Sequence, residues 1–258
     1  MRSAGCLVAV VCVLLACRLA AAQSLTVAAA SDLQTVLPAL VATFEKETGR
    51  KVSLTFGSSG NFSTQIENGA PFDVFLSADI DYPRRLERAG LTERGTLYEY
   101  ATGHLVLWTR QDSGIDIRQG LSVLTDARIR RIAIASPDHA PYGRAAVAAL
   151  RHDGLYERVQ AKFVIGENIS QTAQFAQTGS ADVGLIALSV ALSPALTSSG
   201  SYVEIPESLH PPIEQAAVVL ASSRLKPLAR QFVDYLKKPE SLTILKSYGF
   251  AVPRTTVR

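Results

Sequence analysis

The chain has 258 residues, 47% of them hydrophobic and 19% charged, which allows a sizeable core and excludes bulk disorder. The formal net charge is only +3, so nothing marks the protein as a binder of nucleic acid or of an anionic membrane surface. No fixed-period repeat and no low-complexity tract interrupts the sequence.

The first 22 residues read as a secretory signal peptide. Arg2 gives a positive start, Gly5 to Cys17 is uncharged, and Ala20-Ala21-Ala22 offers small residues for cleavage before Gln23. The apolar run is shorter than the ~20 residues a membrane span needs. Leu14-Leu15-Ala16-Cys17 is also a loose lipobox, an alternative anchor at Cys17 that Leu15 fits imperfectly. Cleavage would remove Cys6, Cys12 and Cys17 and leave neither thiol nor disulfide. It would also remove Arg2 and Arg18 but no acid, lowering the net charge from +3 to +1.

Beyond the leader, strands and helices alternate. Leu25 to Ala29 reads as a buried strand. Leu33, Val36, Leu37, Leu40, Val41 and Phe44 then lie on one face of a helix that Ser31 can cap and Gly49 can end. Further strands are expected at Val52 to Phe56, Asp73 to Leu76, His104 to Trp108, Arg131 to Ala135, Lys162 to Ile165 and Val183 to Ala187. Short helices follow Gly57-Ser58-Ser59-Gly60, Ala140-Pro141-Tyr142-Gly143 and Glu167-Asn168-Ile169-Ser170. Leu225 to Lys237 and Pro239 to Tyr248 are the last two helices, with Gly249 as a stop. The alternation predicts α/β layering with largely parallel sheets. Two extended apolar stretches, Tyr100 to Trp108 and Glu214 to Ala221, read as crossings between two lobes. Lobe I is then residues 23–101 and 215–258, and lobe II residues 102–214.

The sequence shows no nucleophile elbow, P-loop or dinucleotide fingerprint. His104, His139, His152 and His210 have no second His or Cys at metal-ligand spacing. Four helix beginnings remain, each at the carboxyl end of a strand, where open α/β sheets bind ligands. The first N–H groups of a helix have no internal partner, and the aligned peptide dipoles place about half a positive charge there. Several such ends facing one cleft make a site for a small anion. Ser31 and Ser59 would add hydroxyl donors, and Gly57, Gly60 and Gly143 allow close backbone approach. A fully ionised oxyanion only accepts hydrogen bonds, so a donor-only site suits it. For any one of these sites alone, helix capping is the simpler reading. Four together point to an anion cleft.

Specific stretches carry a resemblance. Ala28 to Leu33 (AAASDL), Phe56 to Gly60 (FGSSG), Gln65 to Asp79 (QIENGAPFDVFLSAD), Gly103 to Trp108 (GHLVLW), Ile132 to Gly143 (IAIASPDHAPYG), Ala181 to Ile186 (ADVGLI) and Tyr248-Gly249-Phe250 follow in family order. On these residues the chain resembles the periplasmic molybdate-binding proteins of ABC importers. The resemblance implies the two-lobed type II periplasmic binding protein fold. Each lobe is then a mixed, mostly parallel sheet flanked by helices, and a two-strand hinge joins them. It implies a ligand, molybdate or tungstate, held without cationic side chains and without a cofactor or free metal cation. Ser31 and Ser59 match the two serine donors, and Tyr142 and Ile169 match positions that give backbone N–H groups. The resemblance also implies a periplasmic monomer that docks on a membrane permease, binds no nucleic acid and is not an enzyme. Sulfate or a phosphonate is the alternative ligand. Asp32, after the first serine, is expected to point along the helix start. Ala187 departs from relatives that place a tyrosine hydroxyl on the ligand there. Tyr142 or Ser189 then substitutes, or the site has one donor fewer.

Overall fold

The computed structural model describes residues 24–252. The expected leader, its cleavage before Gln23 and the lipobox at Cys17 lie outside the described residues.

Among the described residues, ten strands form two five-stranded sheets. The first contains β1 (Leu25–Ala30), β2 (Val52–Gly57), β3 (Val74–Ser77) and β4 (Tyr98–Gly103). The second contains β5 (Leu105–Arg110), β6 (Ile132–Ala135), β7 (Phe163–Gly166), β8 (Val183–Ala187) and β9 (Gly200–Glu204). The chain then returns to the first sheet as β10 (Ile213–Val219). The strand orders are β2-β1-β3-β10-β4 and β7-β6-β8-β5-β9, so the two sheets share one plan. In each, three strands pair in parallel. One reversed strand, β10 or β5, lies between the third and the edge strand and pairs antiparallel with both. Four of five strands therefore run in one direction, while half the pairings are antiparallel.

Among the described residues, seven α-helices of eight residues or more flank the sheets. These are α1 (Leu37–Thr48), α2 (Ser59–Glu67), α3 (Asp81–Arg88), α4 (Pro141–His152), α5 (Ile169–Gln177), α6 (Lys226–Tyr235) and α7 (Pro239–Ser247). Both faces of the first sheet are covered, as parallel strands require. Val27, Ala29, Val74, Leu76, Ala217 and Val219 face a core with α1 and α6. Ala28, Phe75 and Val218 alternate to the other face, against Phe62, Ile66 and Leu86. Phe44 meets Phe232 edge-on at 5.1 Å and Tyr235 at 5.4 Å, which ties the start of the chain to its end. The second sheet has its own core around Trp108, Leu107, Ile134, Leu150 and Leu185.

The helix expected to begin at Ser31 is interrupted. Ser31–Leu33 is a single 3-10 turn, and α1 starts at Leu37 with Pro38 in its first turn. Proline has no N–H to donate to the Gln34 carbonyl, and its ring would collide with that carbonyl, so a continuous helix cannot pass. Ser31 therefore does not cap α1. Gly49 ends the helix as expected, at φ 66°. The stretch Tyr100 to Trp108 is not one strand: it changes sheets at His104, between β4 and β5. The return path runs from Glu204 to Ile213.

No helix among the described residues is long and apolar enough to cross a membrane.

Candidate functional site

The two sheets meet over a small cavity. Its lining is Ala30, Ser31 and Asp32 after β1, Gly57, Ser58 and Ser59 after β2, and Ala78 after β3. From the opposite lobe come Ala140, Pro141 and Tyr142 after β6 and Ile169 after β7. Ser31, Ser59, Tyr142 and Ile169, four residues spread over 139 positions, thus share one lining. Each contributor is the beginning of a helical segment: α2, α4, α5 and the Ser31–Leu33 turn.

Local chemistry explains which donors are free. Pro141 opens α4 and has no N–H, so the Tyr142 N–H is the first that this helix presents. Asn168 caps α5 by accepting from the Gln171 N–H at 3.1 Å, which leaves the earlier N–H groups of Ile169 and Ser170 uncapped. Ser59 is fully buried, and its Oγ accepts the Ala78 N–H at 2.9 Å. With its oxygen engaged, its proton is left to donate. Among the described residues, no lysine or arginine lines the cavity. Arg144, one turn into α4, is turned away to Asp79 and to the Tyr82 hydroxyl, and stacks over the Tyr82 ring at 5.2 Å.

Contacts across the cleft surround the cavity. Gly60 N–H donates to the His139 carbonyl at 2.9 Å. Ser170 donates to the Ser31 carbonyl at 2.9 Å, and Thr35 to the Ser189 carbonyl at 3.0 Å. Arg144 pairs with Asp79 beside them. The lobes are closed on each other.

The Asp32 carboxyl lies near the first N–H groups of its own turn and also bonds beyond it. Its Oδ2 accepts from the Gln215 amide and, at 3.0 Å, from the Tyr142 hydroxyl. Gln215 in turn accepts from Tyr100 at 2.8 Å. These donors draw the carboxyl inward, where it is completely buried. Burial raises its pKa from 3.8 to about 6, against the lowering effect of the Gln215 and Tyr142 hydrogen bonds and of the nearby Asp32 and Leu33 N–H groups. Oδ1 forms no full hydrogen bond. Tyr142 and Tyr100 are both held well above the usual tyrosine pKa, chiefly by burial and further by the Asp32 charge.

Ala187 is buried in β8 opposite Leu105 and does not line the cavity. Both suggested substitutes have their hydroxyl protons engaged by Asp32. Tyr142 donates to its carboxyl, and Ser189 donates to its carbonyl at 2.8 Å. Ser58, which sequence reasoning passed over in favour of its neighbour, also lines the cavity.

Two lobes closing over a cavity of donors at converging helix ends define a binding protein for a small anion. The chain belongs to the bacterial extracellular solute-binding protein family, whose model matches residues 25–251. It is 41% identical over 239 residues to the molybdate-binding protein ModA of Azotobacter vinelandii, covering 93% of this chain and 94% of that one. The molybdate-binding protein ModA of Rhodobacter capsulatus is 39% identical, over 90% of this chain and 89% of its own. Among solved structures, the Azotobacter vinelandii periplasmic molybdate-binding protein superposes with a TM-score of 0.85 at 36% identity, over 90% of this chain and all of that one. The sulfate-binding protein SubI of Mycobacterium tuberculosis shares the fold, with a TM-score of 0.71 at 18% identity over 90% of this chain and 88% of that one.

Proposed function

We propose that the protein captures molybdate or tungstate and delivers it to the membrane permease of an ABC importer. The observation that carries this reading is a cavity at converging helix beginnings that, among the described residues, no lysine or arginine lines. Ser31, Ser59, Tyr142 and Ile169 line it, and we assign the two serine hydroxyls and the Tyr142 and Ile169 backbone N–H groups as its donors. Such a donor set favours a fully ionised tetrahedral oxyanion, whose oxygens only accept. The relatives named for molybdate support the choice of metal. Tungstate has the same charge and shape. Sulfate and phosphonates are the competing ligands: sulfate is smaller, and a protonated phosphonate needs an acceptor.

We read the chain as a carrier, not an enzyme, since the donors assigned to the cavity hold a ligand that leaves unchanged. We place it in the periplasm as a monomer, after loss of residues 1–22, with no nucleic-acid partner. Residues 23–101 and 215–258 are assigned to lobe I and 102–214 to lobe II. The change of sheet at His104 and between Glu204 and Ile213 supports a division into two lobes with two crossings. Capture then proceeds by closure: the anion bridges helix ends of both lobes, and exclusion of water strengthens each hydrogen bond.

Calorimetric titration of the mature protein with molybdate, tungstate, sulfate and phosphate tests this reading. One-to-one binding of the first two, with the others weaker by about tenfold or more, is expected from the difference of one good charged hydrogen bond. Preference for sulfate or phosphate, or no binding, overturns it. Ser59→Ala is expected to weaken molybdate by about 1–3 kcal/mol. It should also lower the unliganded melting temperature, because the Ala78 N–H loses its acceptor.

A further inference from the structure

Ser58 occupies the N-cap position of α2, with extended backbone at φ −79° and ψ 144°. A serine there ordinarily turns its hydroxyl back to the second or third N–H of the helix. This one makes no such bond. The residue is 5% exposed, and its Oγ is buried without any hydrogen-bond partner among the described residues. It also lines the same cavity as Ser31 and Ser59. A buried hydroxyl left unpaired is unfavourable, and native structures seldom keep one without a reason. The cavity that the residue lines offers a reason: an acceptor held there would give the hydroxyl its partner.

We propose that the Ser58 hydroxyl is a further donor to the bound oxyanion, reserved for the ligand by its absence from the helix cap. The assignment rests on the reading of the cavity as an oxyanion site. It separates two adjacent serines by their duties. Ser59 serves both the fold, through Ala78, and the ligand. Ser58 serves the ligand alone.

The two duties give different signatures. Ser58→Ala is expected to weaken molybdate binding about 10- to 100-fold, the effect of removing a donor from a charged acceptor. It should leave the unliganded melting temperature unchanged or slightly higher, because a buried unpaired hydroxyl is removed. Ser59→Ala should lower both quantities. Ser58→Gly, a residue that helix N-caps tolerate, repeats the test should Ser58→Ala fold poorly. Calorimetry with molybdate and thermal unfolding without it are the two measurements. An unchanged dissociation constant for Ser58→Ala, with Ser59→Ala weakened, removes Ser58 from the site and leaves the site standing. Unchanged constants in both variants overturn the oxyanion reading itself. A fall in the unliganded melting temperature of Ser58→Ala, without loss of affinity by Ser58→Gly, identifies an ordinary cap and overturns the proposal.

Discussion

Gly60→Ala is expected to weaken ligand binding about 10- to 100-fold while leaving the unliganded protein as stable as before. Gly60 lies in the first turn of α2, and an added Cβ would fall 2.7 Å from the His139 carbonyl oxygen and 2.8 Å from the His139 Cα. Both are backbone atoms of the opposite lobe and cannot step aside as a side-chain tip could. The Tyr82 hydroxyl, also 2.7 Å away, belongs to the same lobe as Gly60 and is a side-chain tip that can swing aside. Forcing a methyl group against the His139 backbone costs about 1–3 kcal/mol. The cost arises only where the lobes touch, so it falls on closure and not on either core. Within α2 itself alanine is the better helix former, so the open protein loses nothing. Titration calorimetry beside thermal unfolding of the free protein separates the cases. A large drop in unliganded stability would mean that the lobes are already closed without ligand. An unchanged affinity would mean that they close without this contact.

The second large effect concerns pH. Asp32 is raised from 3.8 to about 6 by burial; Tyr142 and Gln215 meet its carboxyl, and Tyr100 stands behind Gln215. Between those two values the folded protein holds a proton that the unfolded chain has released. Stability therefore falls as pH rises from about 4 to about 6, by on the order of 3 kcal/mol from this group, and is flat above. Binding carries the same sign. A dianion entering beside an ionised Asp32 favours its protonated form, so binding above pH 6 takes up a proton. Molybdate affinity is expected to tighten as pH falls from 8 to 6, by up to tenfold per unit for one linked proton. Calorimetry in two buffers of different ionisation heat counts that proton, and Asp32→Asn should abolish both the uptake and the stability slope. A dissociation constant indifferent to pH over that range, with no proton taken up, would show that the carboxyl stays ionised beside the ligand.

Much of this protein could be read from its sequence because its signals are local. The buried face of α1 follows from the spacing of Leu37, Leu40, Val41 and Phe44, and the helix beginnings follow from serine, proline and asparagine placed after apolar strands. Pro38 was also visible, and it decides that Ser31 opens a short turn and not α1. Other features had no local signal. Helix α3 buries only Pro83 and Leu86, too few for an apolar stripe, and β9 is largely exposed. The Asp32–Gln215 hydrogen bond joins residues 183 positions apart, so nothing near Asp32 announces where its carboxyl turns. Ser58 and Ser59 are indistinguishable in sequence. Only the partner of each hydroxyl, Ala78 for one and none for the other, tells them apart.

The exchange of strands between the sheets also sets an order of assembly. Residues 105–204 supply every strand of the second sheet without interruption. The first sheet is different: β4 pairs with β10, whose residues lie more than a hundred positions further along, and the Phe44 contacts wait for α6. Closing so long a loop is entropically slower than pairing neighbours. In pulsed hydrogen exchange during refolding, amides of β5, β6 and β8 should gain protection before those of β4. The last forty or so residues would thus act as the clasp that finishes a lobe begun at the first strand.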